Sequence, residues 1–472
     1  MVSLPSSRRC CTLSLRQAFS AFPTERLPEL LSEKLLREVF VKHNCYFGGI
    51  FHSAIVLWAF LCQVMRDGKE ASCQAAVARI SSFLVQLGHK TPHANTGDYC
   101  YARAKLKPSA IRELTKRIAS FVQDIQEETW QWKNRNVVLI DGFTFKMPDT
   151  PNNQAAYPQH NAQKPGLGFP IARVVALFHL GTGCLIDAIV GPYQGKGTSE
   201  ISMLCQLLRN LKPGDVVVAD RHYCGYWLIA MLMEKGIHVC FRNHHARRTD
   251  FRTGRRLGKN DHVVIWSRGA RPNWMTKEEY EKLPSQIVLR ETKYVISKAG
   301  RKQKPFIVIT TMVDPSEDKG TSASEIAELY GFRWNVELDI RNIKSHLDIG
   351  FMRCKSPHMV HNELWTKLLA YNLVRMTMGL AAKQESILPR TISFVSTCQY
   401  LLSHWDVACF SDSNSDEMLN QLLKGISQCR VGHRPNRHEP RCVKRRMDQY
   451  TLMMEPRDQL RKRLQKGDNS FE

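Results

Sequence analysis

The sequence predicts an α/β fold in which a mixed core is preceded by a helical domain and interrupted by a β-rich insertion. Three observations carry this. The first 130 or so residues repeat apolar side chains at helical spacing; from Asn134 the pattern switches to short β-branched runs; and a second group of strand-like runs fills residues 244–322 before helical periodicity returns.

In chain order, Leu27 to Phe40, Ser53 to Met65, Ser72 to Leu87 and Ala110 to Gln126 read as helices separated by polar turns. Ser53 to Met65 is the most apolar of them. It falls short of the roughly 20 residues that cross a bilayer, so a buried helix is expected and no membrane partner. Lys105, Lys107, Arg112, Lys116 and Arg117 close this region and suit either phosphate contacts or a solvated basic face.

Two apolar runs then end in aspartate, Asn136-Val-Val-Leu-Ile-Asp141 and Asp215-Val-Val-Val-Ala-Asp220. Such runs read as buried strands, and acids at strand ends leave the core for a crevice, where α/β sheets place catalytic groups. Between them, Ile171 to Leu180 and Cys184 to Val190 form an antiparallel pair across Gly181-Thr-Gly183, and Ser199 to Leu211 reads as a helix. Tyr226 to Lys235 is a further helix and Ile237 to Arg242 a fifth strand. From Asp220 to Glu337 the chain spends 117 residues, against 79 between the aspartates, so something is inserted there. Val263 to Trp266, Gln286 to Ile296 and Pro305 to Val313 are its strand-like runs. Arg242, Arg247, Arg248, Arg252, Arg255 and Arg256 cluster at its start and suit either a DNA channel or a solvated loop.

The densest signal follows in Tyr330-Gly-Phe-Arg333-Trp-Asn-Val-Glu337 and Lys344. With Tyr330 at zero on a helical wheel, Arg333, Glu337 and Lys344 fall at about 300°, 340° and 320°, one stripe on which Glu337 is the single acid. Asp339 falls on the other side. Three acids, Asp141, Asp220 and Glu337, could therefore converge; converging carboxylates repel, and a bound divalent cation relieves them. Two Mg²⁺ ions would activate a water or a 3′-hydroxyl at a phosphodiester, with Tyr330, Arg333 and Lys344 holding phosphates. Glu363 to Ala382 reads as a long amphipathic helix on the core, and Asn362 and Glu363 read as stabilising rather than catalytic. The tail from Arg430 to Lys466 is basic.

Charge agrees with a polyanionic partner: 67 Lys and Arg against 44 Asp and Glu give +23 and a pI near 9.5. Fifteen Cys are scattered without zinc spacing, so no structural zinc is expected. Met1 to Pro23 lacks the apolar core of a secretory signal, so the thiols are expected to be reduced in a cytoplasm.

The Tyr-x2-Arg-x3-Glu-x6-Lys spacing resembles the signature of one branch of the DDE transposases of bacterial insertion sequences. Asp141-Gly-Phe-Thr-Phe-Lys-Met-Pro148-Asp149-Thr150-Pro-Asn152, Gln163-Lys-Pro-Gly-Leu-Gly-Phe-Pro170, Asp220-Arg221-His-Tyr223 and Arg434-Pro-Asn-Arg437-His-Glu-Pro-Arg441 resemble the same family, over roughly residues 25 to 450. The resemblance implies a ribonuclease-H-like catalytic core carrying Asp141, Asp220 and Glu337 as catalytic residues and metal ligands. It also implies Mg²⁺, for which Mn²⁺ can substitute, and cut-and-paste excision, often through a hairpin at the end. DNA contacts are expected from Tyr330, Arg333, Lys344, Arg221 and Arg341. Trp266 and Trp274 are the candidates to stack a flipped base, against the commoner reading of a strand Trp as a core residue.

The resulting organisation is a helical, transposon-end-binding region (1–130), two parts of the catalytic core (131–243 and 323–385) split by the β-rich insertion (244–322), and a helical and basic C-terminal region (386–472). The implied partners are double-stranded DNA, as terminal inverted repeats and target, and a second copy of the chain in a synaptic dimer. The implied setting is the bacterial cytoplasm, on the nucleoid. Two other readings compete: a domesticated relative that binds DNA without cutting it, and a ribonuclease-H-like nuclease without strand transfer.

Overall fold

The computed structural model describes residues 33–45, 49–86, 88–195, 197–272, 275–295, 305–316, 320–408, 415–432 and 453–467. Five helices open it: α1 (Glu33–Lys42), α2 (Ser53–Val64), α3 (Cys73–Gln86), α4 (Gly97–Ala104) and α5 (Pro108–Asp124). Pro108 starts α5 where a missing N–H does no harm, and Ala110, Ile111, Leu114, Ile118 and Val122 form its buried face. α2 is buried from Ser53 to Gln63, as its composition predicts. Among the described residues no helix is long and apolar enough to cross a membrane. α4 was not expected; it has eight residues and buries only Tyr99, too little to show a period.

The strands follow as β1 (Val137–Lys146), β2 (Ile171–His179), β3 (Leu185–Pro192), β4 (Val216–Ala219), β5 (His238–Arg242), β6 (Arg255–Gly258), β7 (Asp261–Ser267), β8 (Gln286–Val295) and β9 (Pro305–Thr310). Short helices α6 (Pro151–Ala156), α7 (Glu200–Cys205), α8 (Tyr226–Glu234) and α9 (Lys277–Lys282) lie between them. The fold is mixed α/β, with the strands in one nine-stranded sheet of order β3-β2-β1-β4-β5-β9-β8-β7-β6. β1, β4 and β5 are parallel; β2 and β3 return antiparallel on one side, and β9 pairs antiparallel with β5 on the other. The strands between residues 255 and 310 therefore extend the same sheet.

The apolar runs are continuous because both faces are covered. Val137, Leu139, Val216 and Val218 enter the cluster shared with the N-terminal helices, whereas Val138, Ile140, Val217 and Ala219 enter the opposite one, beneath α7 and α8. After β9 come α10 (Ala323–Gly331), α11 (Trp334–His346), α12 (Pro357–Gln384), α13 (Phe394–Ala408), α14 (Ser415–Gln428) and α15 (Arg457–Gln465). The long helix expected to be amphipathic is instead buried on nearly every side, because α5, α2, β3, α13 and α14 surround α12. Its polar residues are satisfied inside: Asn372 accepts from Leu185 N–H (2.8 Å) and donates to Thr115 and Leu185 carbonyls (both 2.9 Å).

Candidate active site

Strand register brings the two aspartates together. β1 and β4 pair as Val137 with Val216, Val138 with Val217 and Leu139 with Val218, an offset equal to the 79 residues between Asp141 and Asp220. Continued by two residues, that register sets Asp141 beside Asp220, at a neighbouring-strand spacing of ~4.8 Å. β1 runs on to Lys146 with β2 alone, so Asp141 lies within the strand rather than closing it, at the point where β4 ends. By alternation both aspartates share the face of Leu139 and Val218. Each has one carboxylate oxygen committed locally: Asp141 Oδ1 accepts Gly142 N–H (2.8 Å) and Asp220 Oδ1 accepts His222 N–H (2.7 Å). The second oxygen of each has no hydrogen bond among the described residues.

The segment from Tyr330 to Lys344 covers that same face, with Ile326, Leu329, Val336 and Ile343 in its core. It is two helices rather than one, because Arg333 and Val336 N–H bond three residues back at Phe332–Arg333; the dihedrals there remain right-handed, so the stripe survives. Arg333 donates to Glu337 (2.6 Å) and also faces Asp141. The Tyr330 ring packs tilted against Phe306 (centroids 5.4 Å apart) and lies toward Asp220 and Arg242, and Lys344 Nζ sits 5.7 Å from the Phe143 ring centroid. Arg221 and Arg341 are exposed. Asp339 is fully buried on the far side, against Arg375 and Arg390. Among the described residues no three His, Cys, Asp or Glu side chains are spaced to hold a metal ion; Glu337 is turned to Arg333.

A further acid, Glu200, was not found from the sequence. It opens α7, and its carboxyl packs so closely over Gly142 that a Cβ there would lie 2.8 Å from it. It accepts from Tyr223 hydroxyl (3.0 Å) and faces Arg173 (3.7 Å). Tyr223, the last residue of the Asp220-Arg-His-Tyr motif, thus ties the turn after Asp220 to α7, whose Glu200 packs over β1 at Gly142. An acid in a helix's first turn is an ordinary capping signal, and nothing local marks Glu200 as a neighbour of Asp141.

Burial first, then the Asp220 and Glu200 carboxylates, push the Asp141 carboxyl up to about 6, against the opposing pull of Gly142 N–H and Arg333. Because this lies above the unfolded value, the folded metal-free chain holds that proton more tightly, and the group's contribution to stability falls as pH rises from about 4 to 6. A cation bound by Asp141 would have to displace the same proton. Apparent Mn²⁺ affinity should therefore weaken about fourfold between pH 7.5 and 5.5, measured by calorimetry. Equal affinities would remove Asp141 from the ligand set.

A family model described as the transposase DDE domain matches residues 132–373, just over half the chain and the whole of this site. The chain belongs to the transposase DDE domain family. It is a DNA transposase, an enzyme of DNA cleavage and strand transfer. Among relatives, the transposase InsG for insertion sequence element IS4 of Escherichia coli is 27% identical over 354 residues, covering 74% of this chain and 76% of that protein. A putative transposase for insertion sequence element IS4SA of Synechocystis is 22% identical over 211 residues, 44% of this chain and 54% of that one. Among solved structures, a piggyBac transposase synaptic complex with hairpin DNA aligns with a TM-score of 0.42 and 12% identity, covering 91% of this chain and 88% of that one.

DDE transposases use divalent metal ions, and the donor set fits one: adjacent aspartates, each with an oxygen uncommitted, whose mutual repulsion a hard cation would relieve. Other expected contacts are placed differently. Trp266 is 4% exposed, its Nε1 donates to Glu291 (3.0 Å), and the Arg247 guanidinium lies 3.6 Å from its ring centroid. The expectation that Trp266 stacks a flipped base is therefore corrected: it is a core residue whose ring has no open face. Trp274, the Arg434-to-Arg441 motif and most of the basic tail lie outside the described residues. Arg112 and Lys116 dock α5 onto buried Asp187 (2.8 and 3.2 Å), and Arg117 pairs with Glu113 and Glu38. These three serve packing rather than an open phosphate face.

Proposed function

We propose that this transposase carries out cut-and-paste transposition of an insertion sequence, with Asp141, Asp220 and Glu337 as its catalytic carboxylates. The single observation that supports this most is the shared register of Asp141 and Asp220 on the sheet face covered by the Glu337 helix. The metal, which we take to be Mg²⁺ with Mn²⁺ as a substitute, would supply an activated water or 3′-hydroxyl and stabilise the leaving oxygen. Asp141 and Asp220 would hold it through their uncommitted oxygens, and Glu337 would complete the set by turning from Arg333. Arg333, so released, Lys344 and the Tyr330 hydroxyl would grip the transposon-end backbone, with Arg221 and Arg341 at the rim.

We further read the core as ribonuclease-H-like. The order β3-β2-β1-β4-β5, antiparallel then parallel, supports that reading. Residues 244–322 would be its insertion, residues 1–130 an end-binding region, and the working form a dimer bringing two inverted repeats together in the bacterial cytoplasm.

The test is cleavage of an end-labelled fragment carrying the gene's own flanking DNA, with Mg²⁺ or Mn²⁺ and with EDTA. Metal-dependent nicking at one position followed by joining to a target supports the proposal. Nicking without joining would favour a nuclease, and binding without any cut a DNA-binding relative.

Arg248, Arg255 and Arg256 are exposed at the start of the strands beyond β5. If they contact DNA phosphates, each replacement by Ala should lower the slope of log K against log salt by about 1. An unchanged slope in filter binding would leave them as a solvated loop.

A further inference from the structure

A cavity of about 360 Å³ opens between α2, the turn after it, α4 and the loop joining α11 to α12, within the size range of ligand pockets. None of its lining residues belongs to the candidate active site. Its charged lining consists of four cations, Arg66, Arg103, Arg353 and Lys367, against two carboxylates, Asp348 and Glu363. Glu363 is already committed: it accepts Arg353 N–H (2.9 Å) and Cys354 N–H (3.0 Å) and pairs with Lys367 (3.1 Å). Asp348 meets Arg353 at 3.4 Å with both side chains about half exposed, a weak pair.

Arg103 is the unusual member. Among the described residues no carboxylate pairs with it; its guanidinium donates to Gln63 Oε1 (3.1 Å) and lies over the rings of Phe60 and Tyr99 at 4.9 and 5.6 Å. Its Nε is buried without an acceptor. A guanidinium withdrawn from water without a counter-charge is unfavourable, and its fork of N–H groups matches two oxygens of one phosphate.

We propose that this cavity binds a phosphate group, seated on Arg103 with Arg66 and Arg353 beside it. The group is carried either by a DNA backbone or by a soluble phosphate ester. Occupancy would fasten the N-terminal helices to the loop that follows the Glu337 helix, since both line the cavity.

The experiment is calorimetric titration of the full chain with inorganic phosphate, at constant ionic strength in chloride, before and after adding a DNA duplex. One phosphate should bind per chain, with affinity weakened about tenfold or more in Arg103→Met. Should that variant not fold, Arg353→Gln, at the half-exposed rim, should weaken binding about threefold. Loss of phosphate binding on adding duplex identifies the source as DNA backbone; an unchanged titration identifies a soluble ester. No binding at millimolar phosphate, or variants that bind like the unchanged protein, overturns the proposal.

Discussion

Glu337→Gln should lower cleavage of the end fragment by about 10³-fold or more, some 4 kcal/mol of transition-state stabilisation, while folding and end binding stay close to normal. The reason lies in what the carboxylate does besides chemistry. It is 37% exposed, and its described partner is Arg333 four residues earlier on the same helical stripe. Such a surface pair contributes less than about 1 kcal/mol, and a Gln amide oxygen can still accept from the guanidinium. What the amide could not do is bring a negative charge to the cation that Asp141 and Asp220 are proposed to hold. Single-turnover cleavage and filter binding on the same preparation separate the two effects. Lost binding, with normal cleavage by whatever complex remains, would sink the assignment of Glu337 to the chemistry.

The aspartates were legible in the sequence because their environment is local: an apolar run that must be a buried strand, followed at once by a carboxylate, although β1 continues beyond Asp141 to Lys146. Even their pairing was implicit, since parallel neighbours share one offset, and 79 residues is both the interval and the register. Asp339 was legible too, as the acid on the wrong side of the wheel. Glu200 was not, because its approach to Gly142 arises from how α7 crosses the sheet, which no local pattern encodes. Trp266 misled for the opposite reason. Placement in a strand and an aromatic ring fit a stacking role and a core role alike, and only the covering Arg247 and the Glu291 acceptor decide between them. The break at Phe332 escaped the wheel because both its residues keep helical dihedrals.

Asp339→Ala should have the reverse signature, a loss of about 3–5 kcal/mol of stability with no direct part in catalysis. Asp339 is completely buried, and its two oxygens receive Arg375 and Arg390, the latter at 3.1 and 2.9 Å. Arg390 also donates to the His179 and Leu180 carbonyls at the end of β2, and Arg375 to Tyr371 hydroxyl (2.9 Å), which in turn donates to Gly183 carbonyl (2.7 Å). One carboxylate thus fixes the Glu337 helix to α12 and to the β2–β3 turn. Removing it strands two guanidinium groups in the core, which is worse than never having buried the charges. Replacing all three together, Asp339→Leu with Arg375→Met and Arg390→Met, should therefore recover much of the loss. Urea midpoints read this directly, and a midpoint unchanged in Asp339→Ala would show that the cluster does not anchor the helix. Two acids only two residues apart would then be told apart by observable: the one paired with Arg333 on the exposed stripe through the rate, the one facing the core through the midpoint.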